Sequence, residues 1–258
     1  MSAPNELPPV RLGCVGYLNV RPLIHGWPGE VRFDHPAALC QQLAAGELDV
    51  ALVSSFEYLR HPIYSIVDGV AIASNGPVYS VILAHLGEIE ALHEVVTDPA
   101  SATSTNLLRC LLGERGVTPQ FLAAGEIEPG RGRLLIGDQA LGFRRETGAR
   151  YRIMDLGEEW KRQTGLPFVY ALWLMRPDCP DRLRLATELR SLGKTNSDHL
   201  DPVIAAQPES QRRFCEFYFR ECLRFAFGEA EKQGFRRFAE LCVHHRGLPN
   251  LPPPLELL

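Results

Sequence analysis

The sequence predicts an α/β protein of two lobes with a ligand cleft between them, and three observations predict it. Strand-like and helix-like stretches alternate through the first two thirds of the 258 residues, the pattern of sheets covered by crossover helices. A long apolar run, Leu166-Pro167-Phe168-Val169-Tyr170-Ala171-Leu172-Trp173-Leu174-Met175, reads as a strand returning to the first lobe. From Asp178 onward the pattern turns helical. A chain that builds a second lobe and comes back crosses twice, and two crossings make a hinge. The expected division is 1–88 with 174–258 for one lobe and 89–173 for the other.

Taken in order, Val10 to Val15 is a buried first strand, and the loop Gly16-Tyr17-Leu18-Asn19 follows at its carboxyl edge. Open α/β sheets bind ligands at that edge. Asn19 is therefore the first candidate, because its amide donates and accepts at once; an asparagine closing its own turn is the competing reading. Val31 to Phe33 is a short strand, and His35 to Gly46 is a helix with proline in its first turn and glycine at its end. Glu47 to Ser55 is a second buried strand ending in the hydroxyl pair Ser54-Ser55. Tyr64 to Ala73 and Val78 to Ala84 supply further strands, and Ser80 lies in the second with a hydroxyl that needs a partner, either a backbone carbonyl or a ligand.

Val95-Val96, the break at Asp98-Pro99 and the spaced leucines 107, 108, 111 and 112 place a helix start within Ser101 to Thr105. Backbone N–H groups there lack intrahelical partners and the dipole is positive, so the turn suits a carboxylate or phosphate. Ser101, Thr103 and Ser104 add hydroxyl donors; one of them serving as an ordinary cap is the alternative. Arg133 to Leu141 contains another strand with Asp138 at its end, a candidate base, hydroxyl acceptor or helix cap. Tyr151 to Gly157 reads as a strand and Glu158 to Thr164 as a helix. Helices are expected over 181–192, 196–206, 210–226 and 228–242.

The chain is 45% hydrophobic and 22% charged with a formal net charge of −4, a globular composition that gives no electrostatic reason to expect nucleic acid or an anionic membrane as partner. Seven cysteines with no C-x-x-C spacing point to reduced thiols and a cytoplasmic setting. Residues 1–9 carry no basic start or apolar core, and no segment approaches a membrane span. Of the eight histidines only His244 and His245 are close in sequence, and as helix neighbours they are expected to diverge, so no metal and no cofactor is expected.

Several stretches together resemble a known family. These are Gly-Tyr-Leu-Asn-Val-Arg-Pro at 16–22, Gly-Glu-Leu-Asp-Val-Ala-Leu-Val-Ser-Ser at 46–55, Gly-Pro-Val-Tyr-Ser-Val at 76–81 and Ser-Ala-Thr-Ser at 101–104. Ile-Gly-Asp-Gln-Ala-Leu at 136–141 and Thr-Gly-Leu-Pro-Phe-Val-Tyr-Ala-Leu-Trp at 164–173 extend the likeness. The family is the menaquinone-biosynthesis family of the futalosine route. The resemblance implies the type II periplasmic-binding-protein-like fold and a cytoplasmic enzyme. Its Tyr-Leu-Asn motif resembles the chorismate dehydratase branch, which makes 3-[(1-carboxyvinyl)oxy]benzoate from the dicarboxylate chorismate. The sister branch, which makes 1,4-dihydroxy-6-naphthoate, has an N-terminal Ser-Pro-Cys-Pro-Asn-Asp-type motif that is absent here.

On this reading Asn19 orients the leaving hydroxyl or a carboxylate. Ser54, Ser80, Ser101, Thr103 and Ser104 bind substrate. The ring proton goes to Asp138 or to the substrate's own enolpyruvyl carboxylate. A non-catalytic solute-binding or sensor protein on the same fold is the competing class, since a fold does not fix a function.

Overall fold

The computed structural model describes residues 10–98, 101–147 and 150–258; the stretch 1–9 and the Pro99 break lie outside them. The chain begins with β1 (Leu12–Cys14), a 3₁₀ turn at Leu18–Val20 and α1 (Arg21–Ile24). Next come β2 (Val31–Phe33), α2 (Pro36–Ala45), β3 (Val50–Ser54), α3 (Ser55–Arg60) and β4 (Ser65–Ser74). A second group follows: β5 (Val81–His85), β6 (Glu94–Val96), α4 (Ala102–Gly113), β7 (Gln120–Leu122), β8 (Arg131–Ile136), α5 (Gly137–Thr147), β9 (Arg152–Asp155) and α6 (Leu156–Thr164). The remainder is β10 (Phe168–Met175), α7 (Arg182–Asp198), α8 (Leu200–Ala205), α9 (Glu209–Phe217), β11 (Arg224–Phe227) and α10 (Glu229–His244).

The strands form two sheets, one ordered β11-β4-β10-β3-β1-β2 and the other β7-β6-β8-β5-β9. β1 pairs in parallel with β2 and β3, and β10 lies antiparallel between β3 and β4. The inner strands are apolar along their whole length because both faces are covered: all three residues of β1 and all but Ala171 of β10 are buried. Two mixed sheets with covering helices are the expected two-lobed α/β fold.

Strand membership moves both edges of the division read from sequence. β5 (Val81–His85), expected in the first lobe, pairs with β8 and β9. β10 belongs to the first sheet, as a returning strand does, but from Phe168 onward and not from residue 174. The crossings therefore lie between Ser74 and Val81 and between Asp155 and Phe168. The expected strand from Val78 begins only at Val81, because Tyr79 has a φ of 68° that no strand accommodates.

The expected helix over 210–226 stops at Phe217, passes through a π turn at Tyr218–Cys222 and ends in β11. There Phe225 and Phe227 are buried while Arg224 and Ala226 are exposed, a period of two that the aromatic density of this stretch masks. α5 starts at Gly137, so Asp138 sits in the first helical turn. α6 starts at Leu156, so Asp155 is its cap and not a strand interior. Among the described residues no helix is long and apolar enough to cross a membrane.

Candidate functional site

The loops at the ends of β1 and β3 meet the starts of α4 and α5 from the other sheet. Ser54 ends β3 and its hydroxyl lies 2.5 Å from that of Thr103. The Thr103 hydroxyl also accepts from the Phe56 N–H at 3.0 Å and lies 3.3 Å from the Ser55 hydroxyl. The Ser54 hydroxyl accepts from the Thr103 N–H at 3.2 Å. Helix α4 thus docks its first turn on the end of β3 through hydroxyls that are themselves paired. Ser101, within the expected window for the helix start, is the N-cap residue of α4, and its side chain makes no capping bond. Ser101, Thr103 and Ser104 are all buried.

A second junction joins the β1 loop to α5. Asp138 Oδ1 accepts from the Leu18 N–H at 3.2 Å, and the Tyr17 ring lies over Gly137, where a Cβ would meet it at 3.2 Å. Gly137 also has a φ of 52°, so a side chain there is disfavoured twice. Burial pushes the Tyr17 phenol above its usual pKa, and the carboxylates of Asp98 and Asp138 add to the shift; it stays a donor at neutral pH. The Asn19 amide oxygen is buried and has no hydrogen-bond partner among the described residues. An orphaned acceptor of this kind is costly unless a ligand donor meets it.

Ser80 is buried, and its hydroxyl accepts from the Tyr218 hydroxyl at 2.6 Å, while its carbonyl accepts from the Gly137 N–H at 2.8 Å. The structure therefore groups Ser54 with Ser101, Thr103 and Ser104, and groups Asn19 with Asp138 and Ser80.

Asp155 organises the ground between the sheets. Its buried carboxylate accepts from the N–H groups of Val78 at 3.0 Å, Tyr79 at 2.7 Å, Gly157 at 3.0 Å and Glu158 at 3.2 Å. Arg144 donates to it at 3.1 Å, and the same guanidinium lies 4.3 Å from the centre of the Tyr79 ring. Tyr79 is thereby held in a left-handed conformation that costs a non-glycine residue ~1 kcal/mol or more. Sequence reasoning passed over Asp155, although Asp155-Leu156-Gly157-Glu158 carries the spacing of a helix start, a capping residue with an acid three positions later.

Tyr79 and Asp138 line a cavity of about 490 Å³ together with Leu18, Arg21, Arg145 and Gln211. Arg21 comes from the start of α1, after β1 of the first sheet, and Arg145 from α5. Among the described residues neither guanidinium has a carboxylate within 4.0 Å, unlike most arginines of this chain. Both were missed in the sequence, where each sits among other charged or motif residues with nothing to mark it as unpaired. Nucleophilic thiols are not part of the site: all seven cysteines are buried, and burial pushes Cys14, at the end of β1, up to about 12.

The model of a family described as menaquinone biosynthesis matches residues 10–244. The chain belongs to that menaquinone-biosynthesis family. A relative from Thermus thermophilus, named chorismate dehydratase, is 33% identical over 95% of this chain and 97% of its own length. Another with that name, from Campylobacter jejuni, is 27% identical over 88% of this chain and 90% of its own. Solved structures extend the likeness in fold alone. The alkanesulfonate-binding protein of Xanthomonas axonopodis superposes with a TM-score of 0.63 at 15% identity, covering 100% of this chain and 99% of that one. A protein of Archaeoglobus fulgidus gives 0.66 at 16% identity, covering 93% and 98%. This member of the menaquinone-biosynthesis family thus has the periplasmic-binding-protein-like fold that its motifs imply.

Proposed function

We propose that this chain is a chorismate dehydratase, a lyase that removes water from chorismate to give 3-[(1-carboxyvinyl)oxy]benzoate. The observation that carries the reading is the 33% identity to a protein of that name along 95% of the chain. The geometry supports it. Chorismate has two carboxylates, and the cavity offers one unpaired guanidinium from each sheet, Arg21 and Arg145. The α4 start with Ser101 and Ser104 suits a carboxylate, held against β3 by the paired Ser54 and Thr103 hydroxyls, and Ser80, which accepts from Tyr218, keeps its own proton to donate.

In the elimination a ring C–H and a neighbouring C–O bond break, a ring double bond forms and water leaves. Aromaticity drives it, so the protein's work is positioning and donor placement. Asn19, with its buried unpartnered oxygen, accepts from the leaving hydroxyl and holds it in line. Asp138 fixes the turn that carries Asn19 through the Leu18 N–H. With Asp138 Oδ1 engaged by that N–H, the ring proton passes to the substrate's enolpyruvyl carboxylate, which hands it to the departing hydroxyl so that the C–O bond breaks with loss of water.

The test is to mix the purified protein with chorismate and follow products by chromatography and mass spectrometry. The enolpyruvyl benzoate, formed at a rate proportional to enzyme, supports the dehydratase. Binding without turnover makes the chain a sensor, and no interaction overturns the reading in favour of the sister-branch substrate.

A further inference from the structure

Glu114, His244 and His245 present their ligating atoms within 4.8 Å of one another. The sequence hides this group, since 130 residues separate its two parts and adjacent histidines on a helix diverge. Here they do not, because α10 ends at His244 and His245 leaves the helix with φ −94° and ψ 20°. Their rings stand perpendicular with centres 4.7 Å apart. Glu114, directly after α4, brings Oε1 to 2.8 Å from His245 Nε2. The ring has room because residue 113 is glycine; a Cβ there would lie 2.4 Å from His245 Nδ1.

We propose that these three side chains form a binding site for a zinc-class divalent transition-metal ion that braces α4 against α10. Two imidazoles and one carboxylate are a common zinc donor set, with water in the fourth position. Ligands about 2 Å from a metal stand ~3.5 Å apart, so side-chain torsions of a small size bring this group to bonding distance. Imidazole nitrogens select zinc, nickel or copper over magnesium, which demands oxygen. The site sits on a seam already in register, since Cys110 on α4 and Cys242 on α10 face each other at 3.9 Å one turn earlier. α4 starts at the Ser101 to Ser104 cradle and ends at Glu114, while α10 packs against β10 of the first sheet. The ion therefore ties the far end of the cradle helix to the opposite lobe.

The experiment is calorimetric titration of the metal-stripped full chain with zinc chloride, paired with melting curves. One ion per chain at micromolar or tighter Kd, a raised Tm, and at least a tenfold loss of affinity in both His245→Ala and Glu114→Gln are expected, with magnesium inert. Cys110→Ala should bind zinc as the parent does. Absence of saturable binding overturns the proposal, as does zinc binding that survives His244→Ala/His245→Ala or is lost with Cys110→Ala.

Discussion

Asp155 and Tyr79, 76 residues apart, are joined by a 2.7 Å hydrogen bond from the Tyr79 N–H to the Asp155 carboxylate. That bond and its neighbours fix the first crossing between the sheets. Asp155→Asn keeps the shape but turns an amide N–H₂ toward backbone donors and Arg144. Stability is expected to fall by about 3 kcal/mol, the order seen when one member of a buried charged pair is removed. Urea unfolding checks it, and amide hydrogen exchange at Val78 and Tyr79 should accelerate.

Asn19→Ala removes the acceptor held for the leaving hydroxyl. Turnover of chorismate is expected to fall roughly 100-fold, the size of effect when one positioned transition-state partner is deleted, with an unchanged circular dichroism spectrum. Near-normal kcat in a folded variant removes Asn19 from the chemistry.

Asp138→Asn separates the two proton acceptors. With the substrate carboxylate as base, the variant keeps kcat within about tenfold of the parent, since only the Leu18 contact weakens. A loss on the order of 10³ or more makes Asp138 the base instead.

Arg21→Met and Arg145→Met each remove one guanidinium from the cavity. KM for chorismate should rise roughly 10- to 100-fold in each, the worth of a charge-assisted hydrogen bond, with kcat changed far less. Steady-state kinetics decide, and an unchanged KM in both places the substrate elsewhere.

His85 lowers stability in acid. Burial pushes its imidazole below the usual 6.5, with the positive charges of Arg152 and Arg115 acting the same way and the Gly87 backbone and Glu88 opposing. The folded state resists a proton that the unfolded chain accepts, so stability is full above pH 6.5 and falls as pH drops below it. Unfolding free energies between pH 7.5 and 5.5 should decline less steeply in His85→Gln than in the parent, and equal slopes refute the assignment.

Local chemistry carried much of this fold into the sequence. β1, β3 and β10 announce themselves as apolar runs, and α2 by Pro36 and Gly46. The N-cap of α4 lies at Ser101, inside the predicted window. What stayed hidden was set by partners distant in the chain. Arg21 reads as a motif residue and Arg145 as a surface charge until the fold turns both toward one cavity. Ser80 meets Tyr218, 138 residues away, and β11 is a strand only because β4 offers it an edge. Pairing, not local preference, decided those positions.

The placement of β10 governs the order in which the molecule can assemble. It is the middle strand between β3 and β4, yet it is made only after residues 75–167 have been synthesised. Until Met175 leaves the ribosome the first sheet has a gap between β3 and β4, and the two cannot be bridged. The inserted lobe has all its strands by Asp155 and can pair them first, so the first sheet closes late and around a finished neighbour.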